Sequence, residues 1–315
     1  MSKVYFTDMR TSFTENLPKK LTRLIDRAGL GTIDFDHKFV AIKIHFGEMG
    51  NLAYLRPQYA RALAAYIKER GGLPFLTDCN TLYVGSRKNA LEHIETAYIN
   101  GYTPYATGCQ VIIADGVRGT DEAYIPIGCE EVKTAKIGRA IADADIIISL
   151  NHFKGHEEAG FGGALKNLGM GSGSRAGKME MHYDGKPVVD RDNCVGCGRC
   201  IAICSFDAIK PDNSSSEASL NRRIAEYAYA VVKDKPNFHI SIAADISPNC
   251  DCHPENDAPI VPNIGMFASF DPVAIDLAAA DAVNAMPANP RSALSEAECR
   301  CHDHFINVHP NTNWR

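Results

Sequence analysis

The strongest constraint on the fold is a regular alternation of short apolar runs with longer amphipathic stretches. Residues 40–46 form the first clear apolar run, and residues 57–70 have the spacing of an amphipathic helix. The same alternation predicts strands at 73–78, 110–115, 145–150 and 238–245, and helices at 87–100, 134–144 and 220–233. The last helix is expected to begin at Asp271-Pro272, because proline is favoured in a first helical turn. This order predicts an α/β protein with mostly parallel sheets flanked by helices.

Two segments interrupt the alternation and define the expected organisation of the chain. Histidines and glycines concentrate between about residues 151 and 185, and cysteines concentrate directly afterwards. We therefore predict an α/β domain over 1–187 that contains the histidine- and glycine-rich pocket segment. A ferredoxin-like iron–sulfur segment is expected to be inserted at 188–212. The remainder of the α/β fold and a C-terminal tail would occupy 213–315.

Charge and hydropathy exclude several classes of partner. The formal net charge is −5, so no global positive field attracts nucleic acid or an anionic membrane. No apolar run approaches the roughly 18 residues that a membrane span needs. The N-terminal residues lack the apolar stretch of a signal peptide, so we expect a cytoplasmic protein. Thiols stay reduced in that compartment, and eleven cysteines therefore indicate metal binding rather than disulfides.

The four cysteines of the inserted segment carry the most specific chemical signal. Their spacing is Cys194-x2-Cys197-x2-Cys200-x3-Cys204, which is typical of a [4Fe–4S] ligand loop. Glycines between the first cysteines let the backbone turn tightly around a cubane. A zinc site is the alternative, although zinc usually takes two separated ligand pairs. We expect one [4Fe–4S] cluster, and two are conceivable.

The sequence does not identify the fourth ligand of this cluster. In two-cluster ferredoxins the cysteine after x3 binds the other cluster, and no second Cys-x2-Cys-x2-Cys run follows here. Cys250 and Cys252 are the remote candidates. Either one of them closes a single cluster, or both join Cys204 around a second cluster. The alternative is that both are unligated loop thiols.

A candidate pocket lies in the histidine- and glycine-rich segment. A strand ending near Leu150 would bring His152 and His156 to the carboxyl edge of the sheet, where ligands of such folds bind. Gly162 and Gly163 permit close approach of a ligand to the backbone. His45, at the end of the 40–46 strand, is expected at the same edge as a further catalytic candidate. A glycine turn with solvated histidines is the alternative.

The chain resembles an uncharacterised iron–sulfur family, domain of unknown function 362, over nearly its whole length. The resemblance rests on residues 44–48, 162–167 and 249–253 and on the four cysteines at 194–204. It implies clusters of the ferredoxin type and little about the reaction.

A more distant resemblance, over about 35 residues, is to the nickel-pincer lactate racemases. That family has a His-x9-Lys-x15-His segment around a glycine-rich turn, and His156, Lys166 and His182 reproduce its spacing. The resemblance implies that His156 is a proton-transferring base, that Lys166 anchors a cofactor, and that His182 binds an additional metal.

Three functional hypotheses follow from these features. The first is an oxidoreductase in which the cluster exchanges electrons with a small-molecule substrate or a second metal centre near His156, Lys166 and His182. The second is an electron carrier that serves a redox partner protein without catalysis. The third is isomerase-type chemistry beside a redox-silent cluster. A pure carrier has no need of a lysine and three histidines around a glycine turn, which favours the first hypothesis.

Overall fold

The computed structural model describes residues 2–82, 85–183 and 218–314. Eleven strands and eleven α-helices lie within these ranges. The strands are β1 (Tyr5–Asp8), β2 (Phe39–Lys43), β3 (Leu73–Asp78), β4 (Gln110–Ile113), β5 (Glu122–Pro126), β6 (Thr134–Gly138), β7 (Ile146–His152), β8 (Lys154–His156), β9 (Gly160–Gly162), β10 (Asn237–Ala243) and β11 (Gly265–Ser269). The helices are α1 (Leu17–Arg27), α2 (Pro57–Lys68), α3 (Ala90–Ile99), α4 (Pro104–Thr107), α5 (Arg139–Asp143), α6 (Ala164–Ser172), α7 (Arg175–Tyr183), α8 (Ala218–Val232), α9 (Pro272–Asn284), α10 (Ala293–Glu296) and α11 (His304–Val308).

A seven-stranded mixed sheet forms the centre of the molecule. Its strand order is β1-β11-β10-β7-β2-β3-β4. The five strands from β10 to β4 run parallel. At one side β11 pairs antiparallel with β10, and β1 pairs antiparallel with β11 at the edge. The prediction of a mostly parallel α/β fold flanked by helices is therefore confirmed.

The central strand β7 explains why the predicted apolar runs form this sheet. All seven of its residues are buried, since helices cover both faces of the sheet. Ile146 and Ile148 pack into the core on one face with α1 and α2. Ile147 points to the other face, where it packs with residues of α6 and α8. The period of two along the strand thus divides the core into two layers.

The helix predicted over residues 134–144 is wrong over its first half. Residues Thr134–Gly138 form strand β6, which pairs antiparallel with β5, and only Arg139–Asp143 are helical. Ala135 and Ile137 alternate with more exposed neighbours, and both are buried in the same core layer as α8. Such an alternation of buried and more exposed residues is typical of a half-buried strand rather than of a helix.

Most other boundaries agree with prediction to within a few residues. Helix α9 begins at Asp271-Pro272 as expected, and the Asp271 carboxylate accepts hydrogen bonds from Val273 N and Ala274 N. It is not the last helix, because α10 and α11 follow it. The sequence also gave no prediction for β1, β5, β8, β9 and β11, or for α1, α4, α6 and α7. None of the helices in the described ranges is long and apolar enough to cross a membrane.

Candidate functional site

A cavity of about 340 Å³ lies at the carboxyl ends of the parallel strands β2, β3, β7 and β10. Eight predicted site residues line it together: His45, His156, Gly162, Gly163, Lys166, His182, Cys250 and Cys252. Cys194, Cys197, Cys200 and Cys204, with the predicted 188–212 insertion, lie outside the described residues. The catalytic, cofactor and metal roles of all these residues stay predictions.

Three consecutive elements bring the histidine- and glycine-rich segment to the cavity. Strand β7 ends at His152, and β8 and β9 then form a short antiparallel hairpin in which Lys154 pairs with Gly162. Helix α6 follows directly and carries Lys166. The loop after β10 approaches from the neighbouring strand and carries both cysteines, because β10 and β7 run parallel and end at the same edge.

The Lys166 ammonium and the Cys250 thiol, both of predicted site residues, lie in direct contact. Nζ lies 3.3 Å from Sγ, and the cysteine is buried. A hydrogen bond from Cys252 and the charge of Lys166 lower the pKa of Cys250 well below its usual range, although burial acts to raise it. Burial is the largest single influence and would lower the pKa of Lys166, but the charges of Cys250, Cys252 and Glu157 together outweigh it, and the pKa is raised. These opposite shifts favour a buried thiolate beside an ammonium.

The residue between the two cysteines fixes their loop to the sheet. The Asp251 carboxylate lies 2.9 Å from His152 Nδ1 and 3.4 Å from Lys154 Nζ. His152 Nε2 also faces an acceptor, the Ala244 carbonyl, at 2.8 Å. Although burial opposes it, the charges of His152 and Lys154 hold the pKa of Asp251 well below its usual range. The role that the structure supports for His152 is therefore to anchor the cysteine loop.

Cys252 belongs to a second group of donor atoms on the same loop. Its hydrogen bond to Cys250 raises its pKa well above the ordinary value. Its neighbour His253 donates from Nε2 to Glu157 Oε1 at 2.9 Å. Burial would raise the pKa of Glu157, but the charge of His156 and the hydrogen bond from His253 lower it to about 2. One ligand atom each from Glu157, Cys252 and His253 lie within 4.8 Å of one another.

Two further pocket histidines, His156 and His182, have lowered pKa values. His156 Nδ1 accepts hydrogen bonds from the backbone of Glu158 and Ala159 at 3.1 and 3.0 Å, so a neutral ring carries its proton on Nε2. Burial and the charge of Lys166 lower the pKa of His156. Burial and, as the second cause, the charge of Lys166 lower the pKa of His182 to about 4. The Nδ1 atom of His182 lies 3.5 Å from Glu158 Oε2. As neutral rings, both exchange hydrogen bonds with a ligand without adding charge.

His45 lies in a separate part of the cavity wall, against a buried guanidinium. Arg87 Nη1 lies 3.0 Å from His45 Nε2, and Gly47 N donates to His45 Nδ1 at 3.0 Å. Burial, with the charge of Arg87 second, lowers the pKa of His45 to about 3. Arg87 also donates from Nε to Glu48 at 3.0 Å. Both ring nitrogens of His45 therefore face donors in this arrangement.

The paired glycines have a structural explanation in addition to the predicted cofactor role. A Cβ atom at Gly163 would lie 2.2 Å from Asp276 Oδ1, and one at Gly162 would lie 3.1 Å from Lys154 Cε. Asp276 reaches across from α9 and accepts from Ala164 N at 2.6 Å and Leu165 N at 2.9 Å. A side chain at Gly163 would thus displace the group that caps α6.

The sequence reading missed several charged residues of the cavity. Lys43 Nζ lies 3.0 Å from Asp78 Oδ1 and 2.9 Å from Asn167 Oδ1, with both ionic side chains almost fully buried. Among the described residues, five cationic side chains line the cavity: Lys43, Arg87, Lys154, Lys166 and Lys178. Three carboxylates line it: Asp78, Glu157 and Glu158. A lysine inside a predicted buried strand, as at position 43, is the signal that could have revealed this feature.

The fold and the site define an α/β protein with a cation-rich cavity and a Cys-x-Cys pair at the carboxyl edge of its sheet. The chain belongs to the family described as a domain of unknown function, DUF362, whose model matches residues 40–281. This confirms the family predicted from the sequence.

Two solved structures show low sequence identity and low structural similarity to this chain. One is the lactate racemase apoprotein from Thermoanaerobacterium thermosaccharolyticum, with 14% identity, a TM-score of 0.44, and coverage of 71% of this chain and 49% of that one. The other is a structural-genomics protein from Thermotoga maritima, with 14% identity, a TM-score of 0.44, and coverage of 84% and 56%. This chain thus spans about half the length of both. No curated protein matches it.

Proposed function

We propose that this protein is an iron–sulfur oxidoreductase. In this proposal Cys194, Cys197 and Cys200 bind a [4Fe–4S] cluster, which exchanges electrons with a small anionic substrate in the cavity. Cys250 is the proposed fourth ligand, and Cys204 and Cys252 are the additional thiols of the same region.

The observation that carries the proposal is the position of the residues on both sides of the cysteine motif. His182, twelve residues before Cys194, lines the cavity, and Leu220, sixteen residues after Cys204, also lines it. The motif is therefore joined to the cavity wall by both of its flanks. This connection favours an electron path between a cluster and a molecule in the cavity.

Cys250 is suited to an iron–sulfur cluster by its own chemistry. Iron–sulfur clusters are held by thiolates, and Cys250 has a pKa well below that of an ordinary thiol. It lines the cavity beside Cys252, so a ligand arriving from the cavity reaches two sulfur atoms. When bound, a [4Fe–4S] cluster supplies single electrons at a potential set by burial and by hydrogen bonds to sulfur.

The charges of the cavity wall favour an anionic substrate. Of the five cations in the wall, Lys43 pairs with Asp78, Arg87 with Glu48 and Lys154 with Asp251. Lys166 and Lys178 have no ion pair with a carboxylate among the described residues. Lys166 would pair with a carboxylate or phosphate of the substrate, and Lys178 would add a second positive charge. His156, whose Nδ1 is taken by backbone donors, would donate a hydrogen bond from Nε2. The enclosing walls would exclude water from the reacting groups.

The decisive experiment is anaerobic purification followed by iron and sulfide analysis and electron paramagnetic resonance. About four iron atoms per chain are expected for one cubane, and about eight would assign Cys250 and Cys252 to a second cluster. Small carboxylates and phosphates are then screened for reoxidation of the reduced cluster. Lys166→Ala and His182→Ala, each compared with the wild type at equal iron and sulfide content, should abolish that reoxidation. Zinc in place of iron would overturn the proposal, and unchanged reduction of a partner protein by both variants would favour an electron carrier.

A second candidate function is isomerase-type chemistry with a redox-silent cluster. The observation that favours it is that His156, Lys166 and His182, which share the spacing of the racemase segment, line one cavity. In this case a substrate should exchange a carbon-bound hydrogen with deuterium from the solvent when no electron donor or acceptor is present. Exchange that requires the reduced cluster would argue against this candidate.

A further inference from the structure

A group of potential metal ligands lies in the cavity wall beside the Lys166–Cys250 contact, to which it is joined by the hydrogen bond between Cys252 and Cys250. Glu157, Cys252 and His253 each offer one ligand atom, and these atoms lie within 4.8 Å of one another. We propose that these three side chains bind one divalent transition-metal ion of the Zn²⁺ class. This site is mononuclear and is distinct from the cluster proposed at 194–204.

The ligand set matches the chemistry of such an ion. A thiolate, an imidazole nitrogen and a carboxylate oxygen are the three donor types that Zn²⁺ accepts in proteins. All three side chains are half-buried, so an ion reaches them from the cavity that they line. Catalytic zinc sites use three protein ligands and leave a fourth position open, and this site has the same number.

A second carboxylate orients the histidine toward the other two ligands. Glu255 Oε1 lies 3.4 Å from His253 Nδ1, while His253 Nε2 points to Glu157 Oε1 at 2.9 Å. Metal-binding histidines commonly donate their second ring N–H to a carboxylate, which fixes the ring and raises its basicity. Glu255 lies at ion-pair distance for this role, so Nε2 is left as the ligand atom. On binding, the ion takes the place of the Nε2 proton and of the Cys252 thiol proton, and both protons leave to the solvent.

The loop that carries the ligands is held in place before any ion binds. His253 N donates to the Cys250 carbonyl at 3.1 Å, which closes a turn around the two cysteines. Asn51 Nδ2 donates to the His253 carbonyl at 3.1 Å, and Glu48 N donates to the Asp251 carbonyl at 2.8 Å. These bonds fix the backbone on both sides of Cys252. Little ordering is therefore required when the ion arrives.

The inference does not rest on the proposed cluster, although an ion here would face the same cavity. It would add positive charge to the wall that receives the anionic substrate of the proposed function. Its test therefore uses a full-length chain in which Cys194, Cys197, Cys200 and Cys204 are changed to serine, with circular dichroism to establish folding. Cobalt is the probe, because cobalt bound by thiolate absorbs in the near-ultraviolet and visible range.

Titration with Co²⁺ alone should give about one ion per chain, a thiolate-to-cobalt charge-transfer band, and displacement by Zn²⁺. Cys252→Ser should abolish the band, and Glu157→Gln and His253→Gln should each weaken binding at least about tenfold. Glu255→Gln should weaken it by about 10–100-fold, as expected for the partner of a metal-bound histidine. Cys299→Ser, which changes an exposed cysteine far along the chain, is the matched control and should have no effect.

Absence of the band, or a band that survives Cys252→Ser, would overturn the inference. X-ray absorption spectroscopy of the zinc-bound four-serine chain identifies the ligand atoms of the ion directly, without a further variant. A mixed shell of sulfur at about 2.3 Å with nitrogen and oxygen is expected, and a shell without sulfur contradicts the site.

The wild-type protein separates this inference from the proposed function. With its cluster in place, it should bind about one zinc per chain in addition to iron, and His253→Gln should lose the zinc alone. Loss of iron in the four-serine chain with cobalt binding retained would mean that the two sites are independent. Iron binding in the wild type without any cobalt or zinc site would refute only the mononuclear site.

Discussion

Lys166 on helix α6 and Cys250 on the loop after β10 meet 3.3 Å apart, although 84 residues separate them in the chain. Each charge stabilises the other in a buried setting, where an isolated thiolate or ammonium would be costly. Among the described cysteines whose pKa shifts, Cys250 is the one whose pKa is lowered, first by the hydrogen bond from Cys252 and then by the charge of Lys166. This property is central to any role of Cys250 as a metal ligand.

Removal of the Lys166 charge should make Cys250 less reactive. Lys166→Met raises the pKa of Cys250, and each unit of that rise reduces the thiolate fraction near neutral pH by up to about tenfold. The rate of alkylation of Cys250 by iodoacetamide in metal-free protein, measured by peptide mass spectrometry at pH 7, should fall by about tenfold or more. Lys38→Met, on the exposed surface, is the control. An unchanged rate in Lys166→Met would refute the charge pairing.

The buried Lys43–Asp78 pair should behave as a unit in stability. Lys43→Met leaves the Asp78 carboxylate buried without its partner, which should cost about 3–5 kcal/mol of unfolding free energy in urea titrations. The double variant Lys43→Met/Asp78→Asn should recover much of this loss, because it removes both charges. Lys88→Met, in the exposed Lys88–Glu92 pair, should change stability by less than about 0.5 kcal/mol. A double variant as unstable as Lys43→Met would argue against the pairing.

Asp276 should stabilise helix α6 from a distance of more than a hundred residues in the chain. Asp276→Ala leaves two backbone N–H groups at the helix start without their acceptor, so we expect a loss of about 1–3 kcal/mol. Thermal or urea unfolding measures this loss. Asp281→Ala lies on the same helix but is exposed, and it should be nearly neutral. Equal effects of the two substitutions would show that Asp276 does not act as a cap.

Acid should destabilise the protein through its buried neutral histidines. The pKa of His45 is about 3 in the folded chain, below its ordinary value of 6.5, so only the unfolded chain takes up this proton between those values. The stability contribution is complete above pH 6.5 and is lost as pH falls toward 3. His45→Gln should reduce the slope of unfolding free energy against pH, measured between pH 6 and 4, by about 1.4 kcal/mol per unit.

His37→Gln is the control for this slope, because the His37 side chain is 90% exposed. His182 and His239, with pKa values of about 4 and about 3, contribute slopes of the same sign, so a residual dependence should persist in His45→Gln. A slope that His45→Gln leaves unchanged would mean that His45 is accessible to protons in the folded protein.

The parallel part of the fold was predictable because its strands are buried on both faces. Strand β3 has the predicted bounds, and β7 is extended by only two residues beyond its predicted end. The antiparallel strands were not predictable in the same way. Strands β1 and β11 join the sheet by antiparallel pairing, and the sequence of β6, which lies in a two-stranded sheet, also fits an amphipathic helix. Pairing with a partner strand, rather than local preference, decides such segments.

The sequence alone determined the family and the α/β class, and it predicted eight of the residues that line the cavity, since strand ends and glycine turns are local features. Only the tertiary structure decided which charges meet there. Three pairs of side chains from separate parts of the fold are in contact: Lys166 with Cys250, His253 with Glu157, and Lys43 with Asp78. The physical reason is that such pairs depend on distances of a few ångströms between side chains on different elements. These distances cannot be deduced from the spacing of the residues along the chain.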